Sequence, residues 1–386
     1  MIALGTVARV VIAYATYGEA FDIDSYELVH TQLANDPFDV YGAVNSAVGD
    51  TELSRWPYAP GYFPWIEVSA ALTGVGLPLH GTIQLPSIFA DAGIALLVQY
   101  FLGLRGSSRQ TRLLAAGAVV LGPSFAAISG YHGQIDSIAI LPAVGALVVW
   151  ESPSARSRAL SAGLLIGAGA ALKTVPILMV LALLPSARSR KEAGLLVGGA
   201  IAVPLLLILP FAVADLEGVR AAARYSGVPG LGGLSLAAQP SLAADWLELG
   251  MLVSLSEASK TLLDLGDVLT VASLVALAAY FARFRPPAHV AAVLLWLTVY
   301  AFSPNFFVQY LVWGLPFLLM AGYVRQTLAI QALVILPTIL IYARPWDERT
   351  LVAVAYAAPM LALWVAWIVA LVLLGRRMAS RHPAPA

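Results

Sequence analysis

Two aspartates stand two residues apart directly after the first apolar segment, in the stretch FDIDSYELV at residues 21–29. Ionised carboxylates are costly in hydrocarbon, so Asp22 and Asp24 indicate where the chain leaves a membrane and enters an aqueous rim. We interpret this rim as an active site. The same pattern is also typical of acids that cap a helix or solvate a loop, so the two aspartates alone do not separate these readings.

A second polar cluster lies in GYHGQIDS, residues 130–137, between two apolar segments. Its i, i+4 spacing predicts that His132 and Asp136 share one helix face, with Gln134 between them. Polar groups at a membrane edge need hydrogen-bond partners. The cluster therefore indicates either a binding site or a hydrogen-bonded buckle between helices.

Three basic residues and a polar turn late in the sequence are further candidates for the active site. Lys173, in LKTVP, lies far from the basic turns and needs an anion, either a ligand or one of the aspartates named above. Arg220 and Arg224 are four residues apart and are expected to share one face of a short helix. Gln309 and Tyr310 lie in SPNFFVQYLVW, another polar interruption of an apolar sequence.

The composition identifies the environment that these residues must face. The chain is 60% hydrophobic and 11% charged, with a mean hydropathy of +0.82, whereas about a quarter of the residues of a soluble domain are charged. The net charge is zero, which gives no argument for nucleic-acid binding. Without cysteines the chain has neither disulfides nor thiolate metal ligands.

These properties predict an all-α, polytopic transmembrane bundle of about twelve spans, several of them short, folded as a single integral-membrane domain over residues 1–386. The predicted spans are 1–17, 82–104, 113–129, 137–150, 159–172, 175–185, 193–213, 267–282, 288–303, 308–322, 327–342 and 350–374. Residues 18–81 form a long first external loop with amphipathic helices, and residues 214–266 form a second. Basic clusters such as RGSSRQTR at 105–112 place both termini in the cytoplasm and the acidic motif outside, in a cell membrane.

A buried-looking arginine and an aromatic-rich stretch lie near the acidic motif. Arg9 lies in the middle of the first apolar segment and is expected to snorkel to the interface or to pair with an acid. The aromatic stretch RWPYAPGYFPW, residues 55–65, suits an interfacial belt and is also able to stack on a sugar ring.

The same motifs, in the same order, carry a family resemblance. FDIDSY resembles the acidic motif of the GT-C class of polytopic glycosyltransferases, particularly PIG-M type and bacterial polyprenyl-phosphomannose-dependent mannosyltransferases. WPYAPGYF resembles the Tyr-Pro-Pro-type motif of that class, with Ala59 in place of the first proline of the pair. HGQIDS, LKTVP and SPNFFVQYLVW are similar to its later motifs, and the resemblance covers about residues 20–316.

The resemblance implies an inverting transfer of a hexose, mannose foremost, from a polyprenyl-phosphate-sugar donor to a glycolipid or cell-wall glycan acceptor. One carboxylate would act as general base, either Asp22 oriented by Asp24 or the reverse. Lys173, His132 and one of Arg220 or Arg224 would meet the donor phosphate. Gln134 and Asp136, and with them Gln309 and Tyr310, would bind the donor or its sugar.

Metal ligands are not assigned from the sequence, although a divalent cation at the acidic pair stays open. A transporter or flippase of lipid-linked sugar is the competing interpretation, because it would use the same phosphate-binding residues without chemistry. A noncatalytic subunit of another transferase is a third. The absence of an apparent internal repeat and the gathering of acids and bases at one face favour an enzyme.

Overall fold

The computed structural model describes residues 1–46, 55–152, 157–225, 229–249, 255–343 and 349–381, and every regular element within these ranges is helical. The predicted all-α polytopic fold is therefore confirmed. The α-helices are α1 (Ile2–Ala15), α2 (Ala20–Asn35), α3 (Val40–Ser46), α4 (Phe63–Thr73), α5 (Leu79–Leu104), α6 (Arg109–Val120), α7 (Pro123–Ala127), α8 (Asp136–Glu151), α9 (Arg158–Ala170), α10 (Met179–Leu183), α11 (Arg190–Ala214), α12 (Leu216–Ala223), α13 (Gly233–Ala238), α14 (Ser241–Leu249), α15 (Glu257–Phe284), α16 (Ala288–Phe302), α17 (Leu311–Met320), α18 (Val324–Leu333), α19 (Ile335–Ala343) and α20 (Arg349–Arg381). Short 3-10 turns occupy Pro60–Tyr62, Val175–Leu178, Leu184–Ser186 and Val308–Tyr310, and a π-helical turn occupies Ile128–His132.

Six helical stretches of the described chain have the length and apolarity to cross a membrane. They are Leu79–Leu104, Arg109–His132, Arg190–Ala214, Glu257–Phe284, Val324–Ala343 and Leu351–Ser380. Shorter apolar helices lie between them, as expected from the sequence. The segment predicted as a span at 175–185 consists of two 3-10 turns and the five residues of α10, which gives it too little length to cross a bilayer unaided.

The chain divides into two compact units, of which the first comprises Met1–Val180 and Ala187–Ser226. Within it α5 packs against α1, α6 and α8, and α9 packs between α8 and α11. The polar helices α2 and α3 pack on each other, α4 packs on α2 and α5, and α12 packs on α3. This arrangement brings the acidic motif of α2 close to the first half of α5.

An aromatic cluster forms the core of these polar helices. Trp56 and Tyr62 are each 1% exposed and pack around Tyr26 at ring distances of 5.7 and 5.9 Å. Tyr41 donates a hydrogen bond to the Tyr58 carbonyl at 2.9 Å. Trp56 and Tyr62 therefore lie inside the protein rather than in the predicted interfacial belt, because large aromatic rings that pack on one another in a core bury most of their apolar surface.

The second unit comprises Leu181–Ser186 and Gly227–Ala386. Its central helix, α16, packs against α15, α17 and α20 and is apolar on all sides, as expected of a helix inside a bundle. Aromatic rings fill the space between α16 and α20: the ring centroid of Trp367 lies 4.6 Å from that of Tyr300 and 4.6 Å from that of Phe306.

The division into one domain with external loops at 18–81 and 214–266 stays a prediction. Within the first of these ranges the described residues form α2, α3 and α4, and within the second they form α12, α13 and α14 and the beginning of α15. The described residues of both ranges are thus largely helical.

Candidate active site

Asp22 is held at both carboxylate oxygens by residues that follow it by more than a hundred positions. It lies in the first turn of α2, where the helix N-terminus favours a negative charge. Its Oδ2 is 2.5 Å from His132 Nε2, and its Oδ1 accepts a hydrogen bond from Gln134 Nε2 at 2.7 Å. The side chain of Asp22 is 17% exposed and that of His132 is 4% exposed, so the carboxylate is oriented by buried partners yet reachable from outside.

The turn between α7 and α8 presents His132 and Gln134. His132 ends the π-helical turn, and Gly133 follows in the left-handed conformation with φ 89°. Because Gly133 reverses the chain before α8 begins at Asp136, His132 and Asp136 do not share one helix face, and that prediction was wrong. Tyr26 donates to the Gly133 carbonyl at 2.7 Å, which ties the turn to α2.

Lys173 meets a carboxylate of the protein itself. Its Nζ donates a hydrogen bond to Asp136 Oδ1 at 2.7 Å, and the two side chains are 9% and 0% exposed. This is one of the salt bridges expected from the sequence. Breaking such a buried pair by removing one partner costs about 3–5 kcal/mol, because the other charge is left uncompensated.

Tyr58 joins the hydrogen bonds of Asp22 to the Lys173–Asp136 pair. Its hydroxyl donates to Gln134 Oε1 at 3.0 Å, and Lys173 Nζ lies 5.0 Å from the centroid of its ring. Burial, reinforced by the negative charges of Asp22 and Asp136, raises the pKa of the Tyr58 hydroxyl well above its usual value. Tyr58 therefore stays protonated and able to donate over the whole physiological pH range.

Asp24 faces a different environment from Asp22. Its Oδ1 accepts a hydrogen bond from the Tyr17 hydroxyl at 2.8 Å. Two residues on an α-helix are separated by about 200° around its axis, so the two carboxylates point to nearly opposite sides of α2. The idea that one aspartate orients the other is not supported by this geometry. Partial burial, followed by the hydrogen bond to Asp24, raises the pKa of Tyr17 to about 12.

The first unit also contains an apolar groove, lined by several residues that are close in sequence to the polar cluster. It has a volume of about 540 Å³ and is open to the surroundings. Tyr62, Leu172 and Ile138, which line it, lie close in sequence to Tyr58, Lys173 and Asp136. The remaining lining residues are Gly61, Pro64, Trp65, Val68, Leu85, Pro86 and Phe89. A charged head at the cluster and an apolar chain in the groove would suit one amphiphilic ligand.

The sequence that folds into this site matches the model of a known protein family. The model of glycosyltransferase family 87 matches residues 75–304, more than half of the chain. The chain belongs to glycosyltransferase family 87. With its apolar helices it is a multi-pass membrane glycosyltransferase. The matched residues include the turn at 130–137 and Lys173, whereas Asp22 precedes them. No match is found among curated proteins.

In this family 87 glycosyltransferase the two predicted arginines stand apart from the contacts at Asp22. Arg220 is exposed on α12 and donates to Glu217 Oε1 at 2.9 Å. Arg224 is exposed and caps the end of α12 rather than continuing its face. The structure shows no hydrogen bond from either guanidinium to Asp22, His132 or Gln134 among the described residues.

Gln309 and Tyr310 belong to the second unit of this glycosyltransferase, in the 3-10 turn before α17. Gln309 is 8% exposed. The ring of Tyr310 stacks on Trp313 with centroids 4.0 Å apart. Both residues are thus fixed within their own unit by packing.

Three tyrosines of the site were not singled out from the sequence. Tyr58 lies in the recognised WPYAPGYF motif, but the aromatic richness of that stretch favoured an interfacial role for it. Tyr26 is the last residue of the acidic motif FDIDSY, in which only the two aspartates were assigned a role. Tyr225 follows α12, and burial together with the charge of Asp22 raises its pKa. Only its position after the predicted short helix could have drawn attention to it.

The described residues contain no group of three histidine, aspartate or glutamate side chains placed to hold one metal ion. We therefore assign none of the site residues as a metal ligand.

Proposed function

We propose that this family 87 glycosyltransferase transfers a hexose, specifically mannose, from a polyprenyl-phosphate-sugar donor to a glycolipid or cell-wall glycan acceptor. The observation that carries the proposal is the Asp22 carboxylate, oriented by His132 and Gln134 and linked through Tyr58 to the Lys173–Asp136 pair. An oriented, reachable carboxylate beside a buried cation supports a displacement that needs one base and an anionic leaving group.

Asp22 acts as the general base in this proposal. It removes the proton of an acceptor hydroxyl while that oxygen forms a bond to the anomeric carbon of the sugar. The bond from the anomeric carbon to the phosphate oxygen breaks on the opposite face, so the configuration inverts. His132, whose Nε2 lies 2.5 Å from Asp22 Oδ2, orients the carboxylate. We assign His132 this role rather than contact with the phosphate.

The leaving group departs as a lipid phosphate with the bonding electrons. Lys173 is the cation of the cluster that favours added negative charge on the phosphate, and no general acid is needed for a phosphate leaving group. The apolar groove supports a lipid-linked donor, because it offers an isoprenoid chain about 540 Å³ of space lined by residues that neighbour Tyr58, Lys173 and Asp136 in sequence. Arg220 and Arg224 stay candidates for contact with the phosphate in the donor-bound state.

The test is transfer of labelled mannose from polyprenyl-phosphomannose to a native lipid extract by purified protein in lipid nanodiscs, with donor binding measured in parallel. Asp22→Asn keeps the shape of the side chain but removes the base. We expect it to bind donor normally and to lower turnover by at least about 100-fold, the usual contribution of a general base.

Asp24→Asn and Glu27→Gln provide matched controls on the same helix. Glu27 is exposed, and Asp24 contacts Tyr17, so both variants should retain most of the turnover. A greater loss of turnover in Asp24→Asn than in Asp22→Asn would indicate that Asp24, and not Asp22, is the general base. Donor binding without product by the wild type, with glucosyl and arabinosyl donors also tried, would instead favour a transporter or flippase.

A further inference from the structure

A buried ionic network adjoins the π-helical turn that presents His132. Arg9 Nε lies 3.3 Å from Asp91 Oδ2, and the two side chains are 2% and 1% exposed. The Arg9 guanidinium also donates to the carbonyls of Val120 at 2.5 Å and Val119 at 2.9 Å, at the end of α6. The expectation that Arg9 pairs with an acid is confirmed.

The network continues into the turn itself through Ser129. Its hydroxyl donates to Asp91 Oδ2 at 2.5 Å, and its Oγ also lies 2.8 Å from the Phe125 carbonyl. Ser129 stands three residues before His132 in the turn Ile128–His132. The chain of contacts therefore runs from α1 through α5 to the segment that ends at the partner of Asp22.

The turn is held closely at both ends. A Cβ atom on Gly130 would lie 3.1 Å from Arg9 Cβ and Cγ, so the Arg9 side chain packs directly against the backbone of the turn. At the other end the Glu19 amide donates to the His132 carbonyl at 3.3 Å, and the Ser87 hydroxyl donates to the Gln134 carbonyl at 2.8 Å. A single π-helical turn lacks the regular hydrogen bonds of an α-helix and depends on such contacts for its shape.

We infer that Arg9, Asp91 and Ser129 are positioning residues, which fix the π-helical turn so that His132 Nε2 and Gln134 Nε2 meet the two oxygens of Asp22. A buried ion pair gives little net stability compared with apolar residues of the same size, and its better attested use is to select one arrangement. Ionisable groups inside an apolar bundle also mark functional positions. The inference rests on the proposed role of Asp22.

Ser129→Ala is the sharpest test, because it removes one hydroxyl and leaves the Arg9–Asp91 pair in place. Ser124→Ala is its matched control: Ser124 is also buried, five residues earlier, and its Oγ has no hydrogen-bond partner among the described residues. Both variants remove one hydroxyl from a buried serine, but only Ser129→Ala removes contacts of that hydroxyl, the one with Asp91 and the local one with the Phe125 carbonyl.

The first readout needs no activity. Protein labelled with ¹⁵N-histidine is reconstituted in nanodiscs, and the His132 ring signal is identified by its loss in His132→Asn. We expect Ser129→Ala to shift or broaden this signal and Ser124→Ala to leave it unchanged. An unchanged His132 signal in correctly folded Ser129→Ala would overturn the inference.

The second readout is transfer kinetics. Ser129→Ala should lower kcat by about tenfold to a hundredfold, the effect of misplacing a catalytic group by about 1 Å, with the donor KM unchanged. In the His132→Asn background Ser129→Ala should cause a smaller loss of turnover, through Gln134 alone, whereas a general folding defect would lower turnover equally in both backgrounds. Equal losses of turnover in the wild-type and His132→Asn backgrounds would contradict a positioning role for Ser129.

Wild-type turnover in both Asp22→Asn and His132→Asn would refute the proposed function. The His132 ring signal of Ser129→Ala would still decide the inference in that case.

Discussion

Tyr58 shows how one side chain couples the Asp22 carboxylate to the Lys173–Asp136 pair. Its hydroxyl bonds to Gln134, which bonds to Asp22, while its ring contacts Lys173. An aromatic face near an ammonium stabilises the cation by up to about 2 kcal/mol when both are shielded from water. The orientation of the Asp22 carboxylate and the stabilisation of the Lys173 ammonium therefore both depend on Tyr58.

Tyr58→Phe separates these two functions. The variant keeps the ring beneath Lys173 but removes the hydrogen bond to Gln134, which is worth about 1 kcal/mol. We expect turnover in the mannosyl transfer assay to fall by about fivefold to tenfold and donor affinity to change little. Tyr58→Leu, which also removes the aromatic face, should in addition weaken donor binding. Loss of binding in Tyr58→Phe alone would show that the hydroxyl, not the ring, acts on the donor.

The residues that the sequence placed at the site include Asp22, His132, Gln134, Asp136 and Lys173, and the structure brings these five together through direct contacts and Tyr58. The motifs identified them because polar residues in an apolar chain are few. The sequence did not distinguish the partners of Asp22 from those of Asp24, because these partners are distant along the chain and depend on how α2 is rotated.

At the scale of elements, small residues allow α9 and α11 to pack closely. A Cβ atom on Gly167 would lie 2.7 Å from the Gly199 carbonyl oxygen, and one on Gly199 would lie 3.0 Å from the Leu164 amide nitrogen. Gly163 and Gly167 have the spacing of small residues that permits close contact between helices in membranes. The same contact supports α9, whose end leads to Lys173.

Gly199→Ala and Gly198→Ala test this contact with neighbouring residues of one helix. An added methyl group at Gly199 must displace backbone atoms of α9, and we expect it to lower the free energy of unfolding by about 1–3 kcal/mol. At Gly198 no atom lies within 4 Å of the added carbon, so alanine should be neutral or stabilising by up to about 1 kcal/mol. Thermal unfolding in detergent provides the measurement. Equal midpoints for the two variants would contradict close packing of α9 on α11.

At the scale of the whole molecule, the orientation of α5 decides which side of the membrane the site faces. The 26 residues of α5 are about 39 Å long, enough to cross a hydrocarbon core of about 30 Å. Contacts to its first half come from the site: Tyr62 donates to the Ile83 carbonyl and Ser87 to the Gln134 carbonyl. Its other end leads to Arg105 and the basic cluster that follows.

Single cysteines at the two ends of α5 should report this orientation, since the natural chain contains none. Val75, 75% exposed, precedes the helix, and the exposed Gln110 follows it. By the positive-inside rule we expect a membrane-impermeant maleimide to label Val75→Cys in intact cells and Gln110→Cys only after permeabilisation. The wild type serves as the unlabelled control. The reverse pattern would place the site in the cytoplasm, and labelling of both from one side would mean that α5 does not cross.

The sequence by itself determined the class of the protein and much of its helical organisation. Its high hydropathy and few charges are sufficient for a membrane bundle, since apolar residues in such numbers cannot be buried in a soluble domain of this size. The second predicted span, 82–104, agrees closely with α5, because a long apolar run bounded by a proline and a basic turn has few alternative structures. The order of the polar motifs also indicated a glycosyltransferase, which the match to family 87 confirms at the level of the family.

Only the tertiary structure decided how the polar residues pair. Asp22 forms hydrogen bonds with His132 and Gln134, and Asp24 forms one with Tyr17. Arg9 forms an ion pair with Asp91. Nothing in the local sequence distinguishes these partners from others. The left-handed Gly133 separates His132 from Asp136, and Trp56 and Tyr62 of the expected interfacial belt lie in the core. The physical reason is that pairing between distant residues depends on the rotation and packing of whole helices, which hydrophobic periodicity specifies only weakly in short polar segments such as α2.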